Sequence, residues 1–279
     1  MSNFKKLGLL ITGLSLTTSF VSASCTNTKL YNKNVKVKGE GKWDIKLDKN
    51  SEFVKSKVFK AKIVGHSDGD TFTVEALEQV LSNSINVGDH IKLRLAGIDT
   101  PEKAVGSQKA VNPELHWAKK ASAFAEKTLP IGKVVHVFFG TKDGFSRLTA
   151  DVFFKKDGTE AQNYWDADTS YCVEITKAGL TLPHASNAQK ATEADSIEYY
   201  TYYPIALALK YAYDNKKGFF GSGFLGFFSG KHPKDFEKIY MLKPNTSWKL
   251  FWPYDEESFT NPDYIWYYNA EEQRTYIPE

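Results

Sequence analysis

Residues 91–102 read Ile91-Lys92-Leu93-Arg94-Leu95-Ala96-Gly97-Ile98-Asp99-Thr100-Pro101-Glu102. Apolar and charged side chains alternate at the start of this segment. The alternation predicts a half-buried β-strand with Ile91, Leu93 and Leu95 on one face. Asp99 and Glu102 follow shortly after, and carboxylates are the side chains that bind hard cations or move protons. The segment therefore predicts a strand of the fold and, beside it, a candidate site.

The flanking sequence predicts four more strands and several helices. The strand-like stretches are 58–64, 71–74, 134–139 and 148–154. Asn112-Pro113-Glu114 predicts a helix start, because Asn is a good N-cap and Pro suits the first turn. The inward stripe of that helix consists of Trp117, Ala121, Phe124, Ala125 and Leu129. Later helices are predicted at about 171–178 and 196–217. The order predicts an α+β fold, with a five-stranded barrel of the oligonucleotide/oligosaccharide-binding (OB) type and about three helices.

The composition limits the class of protein. The chain has 279 residues, of which 42% are hydrophobic and 25% charged, as in ordinary globular proteins. These values exclude whole-chain disorder, a collagen-like repeat and a disulfide scaffold. The formal net charge of +3 is too small to indicate or exclude a polyanionic partner. Any argument for nucleic-acid binding therefore has to rest on a local site.

The first 24 residues have the layout of a secretory leader. Lys5 and Lys6 precede an apolar run at 7–21, and the small residues Ser22-Ala23-Ser24 follow it. The run is shorter than the about 20 apolar residues that span a bilayer, and it contains Thr and Ser. Residues 1–24 are therefore predicted to be a signal peptide.

Cys25 follows the small residues directly. The arrangement resembles a bacterial lipoprotein signal, in which this cysteine is lipid-modified and becomes the first mature residue. Ser22 departs from that pattern, which favours Leu or a similar residue there. The resemblance implies an exported cell-membrane lipoprotein that faces outside and is anchored at Cys25. The alternative is cleavage after Ala23 and simple secretion.

Two further short stretches carry polar side chains suited to chemistry. They are Asp68-Gly69-Asp70-Thr71 and Gly144-Phe145-Ser146-Arg147. Each of these stretches, and 94–102 as well, is a weak signal alone. Asp-Gly is a common turn, and the Asp-Thr-Pro-Glu sequence at 99–102 can merely start a helix. Taken with 94–102, their order, residue types and strand-to-helix context resemble the staphylococcal nuclease (thermonuclease) family. The resemblance runs from about residue 57 to about residue 218.

The resemblance implies calcium-dependent hydrolysis of DNA and RNA phosphodiesters, by an endonuclease at the cell surface. No protein partner is predicted. By position, the implied Ca²⁺ ligands are Asp70, Asp99 and the backbone carbonyl of Thr100. The implied catalytic residues are Glu102 beside the attacking water and the phosphate-binding pair Arg94 and Arg147.

The chemistry of these residue types agrees with the implied reaction. Two carboxylates brought close together repel, and a hard divalent cation relieves the repulsion. The cation draws charge from a phosphate oxygen, while Glu102 accepts a proton from water or only orients it. Guanidiniums offer forked donors to the phosphate oxygens, which lysine does not reproduce.

One departure concerns the segment before Arg147. The family often carries Lys-Tyr just before Gly-Arg, whereas Gly144-Phe145 and then Ser146 stand here. Phe145 is a tentative substrate-binding residue, because its ring can stack on a base. The alternative function is a non-catalytic surface lipoprotein of OB-fold type that binds nucleic acid without cleaving it.

These observations divide the chain into four parts. They are a signal peptide at 1–24, a polar tether at 25–56, a thermonuclease-like domain at 57–218 and an aromatic-rich C-terminal extension at 219–279. The extension is predicted to pack against the barrel, since aromatic rings fill cores more often than they stack on bases. Cys172, in a helical stretch, is predicted to be a buried small hydrophobe.

Overall fold

The structure is a computed structural model that describes residue 37, residues 45–221 and residues 235–270. All of these lie within one compact unit, Asn32–Glu279. The predicted signal peptide, Cys25, most of the tether and most of the Gly/Phe run after Gly221 lie outside the described residues. The lipid anchor at Cys25 therefore stays a prediction.

The described part contains ten strands and six α-helices. The strands are β1 Val58–His66, β2 Thr71–Ala76, β3 His90–Leu95, β4 Ile98–Asp99, β5 Ala104–Val105, β6 Gln108–Lys109, β7 Val134–Lys142, β8 Leu148–Phe154, β9 Thr169–Ser170 and β10 Leu182–Pro183. The helices are α1 Glu52–Ser56, α2 Glu114–Thr128, α3 Tyr171–Lys177, α4 Ile197–Asp214, α5 Phe236–Ile239 and α6 Ile265–Ala270. Among the described residues, no helix is long and apolar enough to cross a bilayer.

The main sheet has six strands in the order β3-β2-β1-β7-β8-β9, with antiparallel neighbours. β3 also pairs in parallel with β8, through Leu93, Arg94 and Leu95. The α+β class is thus confirmed. The predicted five-stranded barrel is corrected to a six-stranded sheet that curls to bring β3 beside β8 over this short ladder, rather than closing as a complete barrel.

The count of about three helices is also corrected, because the described residues form six. The additional helices are short, and the sixth strand, β9, has two residues. Elements of this length are too short to show a hydrophobic period.

Burial along β3 follows the predicted alternation. Leu93 and Leu95 are buried, whereas Lys92 is exposed and Arg94 is half-buried. Ile91 lies on the same face but is only half-buried, near the start of the strand. The strand therefore holds Arg94 on the face opposite the core residues of the sheet.

The N-cap of helix α2 lies one residue later than predicted. Its N-cap is Pro113, and no side chain caps it. Asn112 lies one position before that cap, so its assignment as N-cap is wrong. The inward stripe is confirmed for Trp117, Ala121 and Ala125, which are all buried.

The aromatic residues of the C-terminal extension contribute to the core of the same unit. Trp252 lies 4.7 Å from Tyr213 of α4, and Trp266 lies 5.5 Å from Tyr203, measured between ring centroids. Both tryptophans are fully buried. These rings therefore fill core space and are not accessible for base stacking, as the sequence favoured. Cys172 is likewise buried, with its thiol donating to the Ala96 carbonyl at 3.3 Å.

Candidate active site

Strand pairing brings Asp70 next to Arg94. Thr71, the first residue of β2, lies opposite Arg94 of β3 in the antiparallel register. The Leu95 amide donates to the Asp70 carbonyl at 2.9 Å, which continues the ladder to Asp70. Asp70 and Arg94, which are 24 positions apart in the sequence, are thereby brought together in the sheet.

The guanidinium of Arg94 bridges two buried aspartates. Its Nη1 lies 2.6 Å from Asp70 Oδ2, and its Nη2 lies 2.6 Å from Asp99 Oδ1. Asp70 is 5% exposed and Asp99 is 1% exposed. Ionised carboxylates at such depth need a cation or several hydrogen bonds, because burial removes their water. Arg94 supplies that charge to both.

Two glycines permit this close arrangement. A Cβ atom on Gly69 would lie 2.8 Å from Ala121 Cβ and 2.9 Å from Thr100 Cγ2, closer than side chains pack. Gly97 has a φ of +77° in the turn between β3 and β4, a conformation that L-residues with a Cβ rarely adopt. The glycines therefore let the Asp70 turn and the Asp99 turn approach each other.

Thr100 fixes the orientation of Asp70. Its amide and its hydroxyl both donate to Asp70 Oδ2, at 2.8 Å and 2.9 Å. Burial raises the pKa of Asp70, but Arg94 and the two Thr100 hydrogen bonds outweigh it and lower the pKa below its usual value. Asp70 is thus held as a carboxylate.

Asp68 behaves differently, although it belongs to the same turn. Burial and the negative charge of Asp70 raise the pKa of Asp68 to about 6. Its Oδ1 accepts a hydrogen bond from the Asp70 amide at 3.2 Å. Asp68 therefore titrates nearer neutrality than an ordinary carboxyl and contributes to the acidic character of the site.

Glu102 lies within the electrostatic reach of the same group. Burial, followed by the charges of Asp70 and Asp68, raises the pKa of Glu102 to about 7. The Glu102 amide donates to Glu114 Oε1 at 3.3 Å. A carboxyl with a pKa near neutrality is suited to exchange a proton with water at physiological pH.

The oxygen donors of the site agree in type with a calcium ion, which takes carboxylate and carbonyl oxygens. Arg94 uses one oxygen each of Asp70 and Asp99, and the Asp70 Oδ1 atom accepts a long bond of 3.3 Å from the Thr71 hydroxyl. Over the described ranges, no three side chains from Asp, Glu, His or Cys are grouped to hold a metal ion. The side-chain donors that this site offers are therefore two aspartates.

Arg147 pairs with a different carboxylate from the two that Arg94 contacts. It lies in the hairpin between β7 and β8, where Nε and Nη2 lie 2.8 Å and 2.7 Å from Asp143 Oδ2. The Phe145 ring centroid is 5.3 Å from its Cζ, and the Phe145 side chain is 83% exposed. Ser146 takes a φ of +62°, which explains why glycine suits this position. The ion pair of Arg147 is thus formed within its own hairpin.

Sequence reasoning missed several residues that surround Asp99. Lys243 Nζ lies 2.9 Å from Asp99 Oδ1, and the Tyr240 hydroxyl donates to the Asp99 carbonyl at 2.6 Å. Both come from the extension, more than 140 positions away, so no local pattern could have connected them with the site. For Glu114, the sequence indicates only a place in the first turn of α2.

Comparison with known proteins gives one family and two relatives. Residues 92–203 match the profile of the family described as Staphylococcal nuclease homologue. The "Uncharacterized lipoprotein MG186" of Mycoplasma genitalium is 32% identical over 189 residues, which cover 67% of this chain and 64% of that protein. The "Uncharacterized lipoprotein MG186 homolog" of Mycoplasma pneumoniae is 36% identical over 94 residues, 33% of this chain and 30% of that protein. The match thus spans less than two thirds of either curated relative.

The matched region contains most of the site predicted from the sequence. Arg94, Asp99, Thr100, Glu102 and Arg147 lie inside it, and strand pairing adds Asp70 from outside it. The fold supports the same assignment, since the curled sheet and its helices are OB-fold-like. Residues 92–203 of this chain are thus similar to the family described as Staphylococcal nuclease homologue.

Proposed function

We propose that this protein is a calcium-dependent nuclease that hydrolyses phosphodiester bonds of DNA and RNA as an endonuclease. The observation that supports the proposal is the buried group in which Arg94 pairs with both Asp70 and Asp99, with Glu102 beside it. A cation-binding acidic pair, a proton acceptor and a guanidinium are the parts that phosphodiester hydrolysis needs.

Asp70, Asp99 and the carbonyl of Thr100 are the residues that would hold the calcium ion. When bound, the ion supplies a Lewis acid that withdraws charge from a phosphate oxygen. Arg94 is already fixed by two carboxylates, so it offers its remaining donor positions without reorganisation. Its role is to stabilise the negative charge that develops on the phosphate.

Glu102 accepts the proton of the attacking water, or orients that water. Its raised pKa of about 7 leaves a substantial fraction of the carboxyl ionised at neutral pH. Arg147 contacts the phosphate as the second guanidinium after it leaves Asp143. The Arg147–Asp143 pair is partly exposed, and such pairs contribute roughly 0–1 kcal/mol, so the exchange costs little.

The proposed location is the outer face of the cell membrane, with a lipid anchor at Cys25. The small residues before Cys25 support it, and so do the names of the two relatives, which are both called lipoproteins. Intact mass spectrometry of the mature protein tests this part. Cleavage after Ala23 without added acyl mass would instead identify a secreted protein.

Digestion of plasmid DNA and of RNA, with calcium and with excess chelator, tests the activity. Wild-type protein should cleave both substrates in calcium and lose most cleavage in chelator. Glu102→Gln should lose most activity, whereas Glu126→Gln, on the exposed side of α2, is a matched control that should retain it. Full cleavage in chelator would contradict the role of calcium.

The alternative is an OB-type surface lipoprotein that binds nucleic acid without cutting it. One observation favours it: Arg94 already neutralises both aspartates, and the described part of the chain has no three-residue metal group. The same digestion decides, with a gel shift of intact DNA beside it. A shifted but uncut substrate at saturating calcium would support the binding protein.

A further inference from the structure

Residues 240–247 of the extension, named here the C-terminal arm, lie against the proposed active site. At its first residue, the buried Tyr240 hydroxyl donates to the Asp99 carbonyl at 2.6 Å and accepts from the Leu182 amide at 2.9 Å. Tyr240 therefore bridges β4 and β10 and holds the start of the arm beside Asp99.

Glu114 fixes the next two residues of the arm. This fully buried carboxylate accepts the amides of Met241 and Leu242 on Oε2, at 3.0 Å and 2.9 Å. Its Oε1 accepts the Glu102 amide at 3.3 Å. One carboxylate thus connects the arm to the loop that carries the proposed proton acceptor.

The far end of the arm is held as well. Asn245 Nδ2 donates to the Pro183 carbonyl at 3.0 Å, and the Ser247 hydroxyl accepts from the Ala185 amide at 3.2 Å. The same hydroxyl lies 2.9 Å from His184 Nδ1. Hydrogen bonds before and after Lys243 in the chain therefore fix the position of its backbone.

The backbone of Lys243 is fixed, whereas its side chain is accessible to solvent. Its Nζ lies 2.9 Å from Asp99 Oδ1, and its side chain is 47% exposed. Asp99 already has Arg94 as a buried partner, so Lys243 is a second cation on the same oxygen. Because Arg94 stays paired with Asp99, the ammonium can leave without exposing an uncompensated buried charge.

We propose that Lys243 is a phosphate-binding residue of the active site, which exchanges its contact with Asp99 for a phosphate oxygen of the nucleic acid. This inference rests on the proposed nuclease function. A compact ammonium on a flexible stem binds phosphate as a point charge and reaches several oxygen positions. The extension therefore supplies part of the substrate site, besides its core residues.

Steady-state kinetics on single-stranded DNA in calcium test the proposal. Lys243→Gln should lower kcat/KM about tenfold or more, mainly through KM, because a ground-state phosphate contact is removed. Lys243→Arg keeps the charge and should recover most of the loss. Lys249→Gln removes an exposed lysine of the same extension and should match the wild type. Equal melting temperatures of the variants exclude a folding defect.

Binding of a fluorescent single-stranded oligonucleotide in excess chelator gives a second measurement without cleavage. Each phosphate contact contributes about 0.7 to the slope of log K against log salt for single strands. Lys243→Gln should reduce the magnitude of the slope by about that amount, uniformly across sequences, and Lys249→Gln should leave it unchanged.

Two results would overturn this inference while the nuclease function stands. The first is calcium-dependent cleavage in which Lys243→Gln matches Lys249→Gln in both kcat/KM and salt slope. The second is an undiminished kcat/KM with a lower calcium requirement, which would make Lys243 a competitor of calcium. A wild-type protein that does not cleave in calcium would instead refute the proposed function itself.

Discussion

Arg94 and Arg147 were predicted to play the same role, but the structure places them in different surroundings. Arg94 lies within a strand, is largely buried and bridges two aspartates from separate segments of the chain. Arg147 ends a hairpin turn and pairs with Asp143, four residues earlier in the chain. The first arrangement depends on the tertiary fold, and the second depends on one turn.

The two sets of contacts imply different ways for the two arginines to bind a phosphate. Arg94 is already oriented by contacts that the fold maintains, and moving it would leave two buried carboxylates without their cation. Arg147 is held by a weak, partly exposed pair and by the exposed ring of Phe145. We therefore expect Arg94 to affect both stability and activity, and Arg147 to affect activity alone.

Arg94→Ala should have the largest effect. Removing one partner of a buried ion pair typically costs about 3–5 kcal/mol of unfolding free energy, because the remaining charges stay buried and uncompensated. Cleavage should fall at least about 100-fold, as on loss of a preorganised donor. Chemical denaturation and plasmid digestion measure the two effects. Unchanged stability would mean that Asp70 and Asp99 do not depend on Arg94.

Arg147→Ala should separate activity from stability. We expect a roughly 100- to 1000-fold loss of kcat. The free energy of unfolding should change by no more than about 1 kcal/mol, since the pair with Asp143 is partly exposed. Single-turnover cleavage and thermal melting measure these quantities. Wild-type kcat would contradict a role for Arg147 at the phosphate.

Phe145→Ala should have a smaller effect, limited to substrate affinity. Stacking of a base on an aromatic ring contributes about 1–3 kcal/mol, so KM should rise roughly 5-fold or more. The ring is exposed, and the melting temperature should therefore not change. Oligonucleotide binding and kinetics check this. A KM equal to that of the wild type would remove Phe145 from the substrate site.

Asp143→Asn should have the smallest effect. It tests directly whether the ion pair with Asp143 restrains Arg147, as the aspartates restrain Arg94. Asp143 Oδ1 accepts the amides of Phe145 and Arg147, both at 2.9 Å, and an asparagine oxygen can keep these bonds. Only the ion pair is lost, so KM should fall no more than about fivefold as Arg147 becomes easier to redirect. A KM that rises tenfold would show instead that Asp143 orients Arg147 for catalysis.

The sequence predicted the parts of this fold that have long, regular patterns. The strand at 148–154 is found with the predicted bounds, and the alternation around Arg94 places Leu93 and Leu95 in the core. The structure brings Asp70, Arg94 and Asp99 into contact, and their roles in a site stay predictions. Strand pairing and two glycine turns produce that approach.

Other parts could not be predicted because their determinants are distant in sequence or too short. Lys243 and Tyr240 approach Asp99 only through tertiary packing, and their own neighbours form no motif. Arg147 pairs with Asp143 because of the conformation of the hairpin turn. The order of residues alone does not determine that conformation. The two-residue strand β9 is below the length at which periodicity can be read.

The buried Glu114 carboxylate has a consequence for the time at which this protein matures during synthesis. Its Oε2 stays without these amide donors until Met241 and Leu242 have been made, 127 and 128 positions after Glu114. A ribosome releases the amino-terminal strands long before that point. The surroundings of Asp99 and Glu102 are therefore completed only after residues 240–243 have been synthesised.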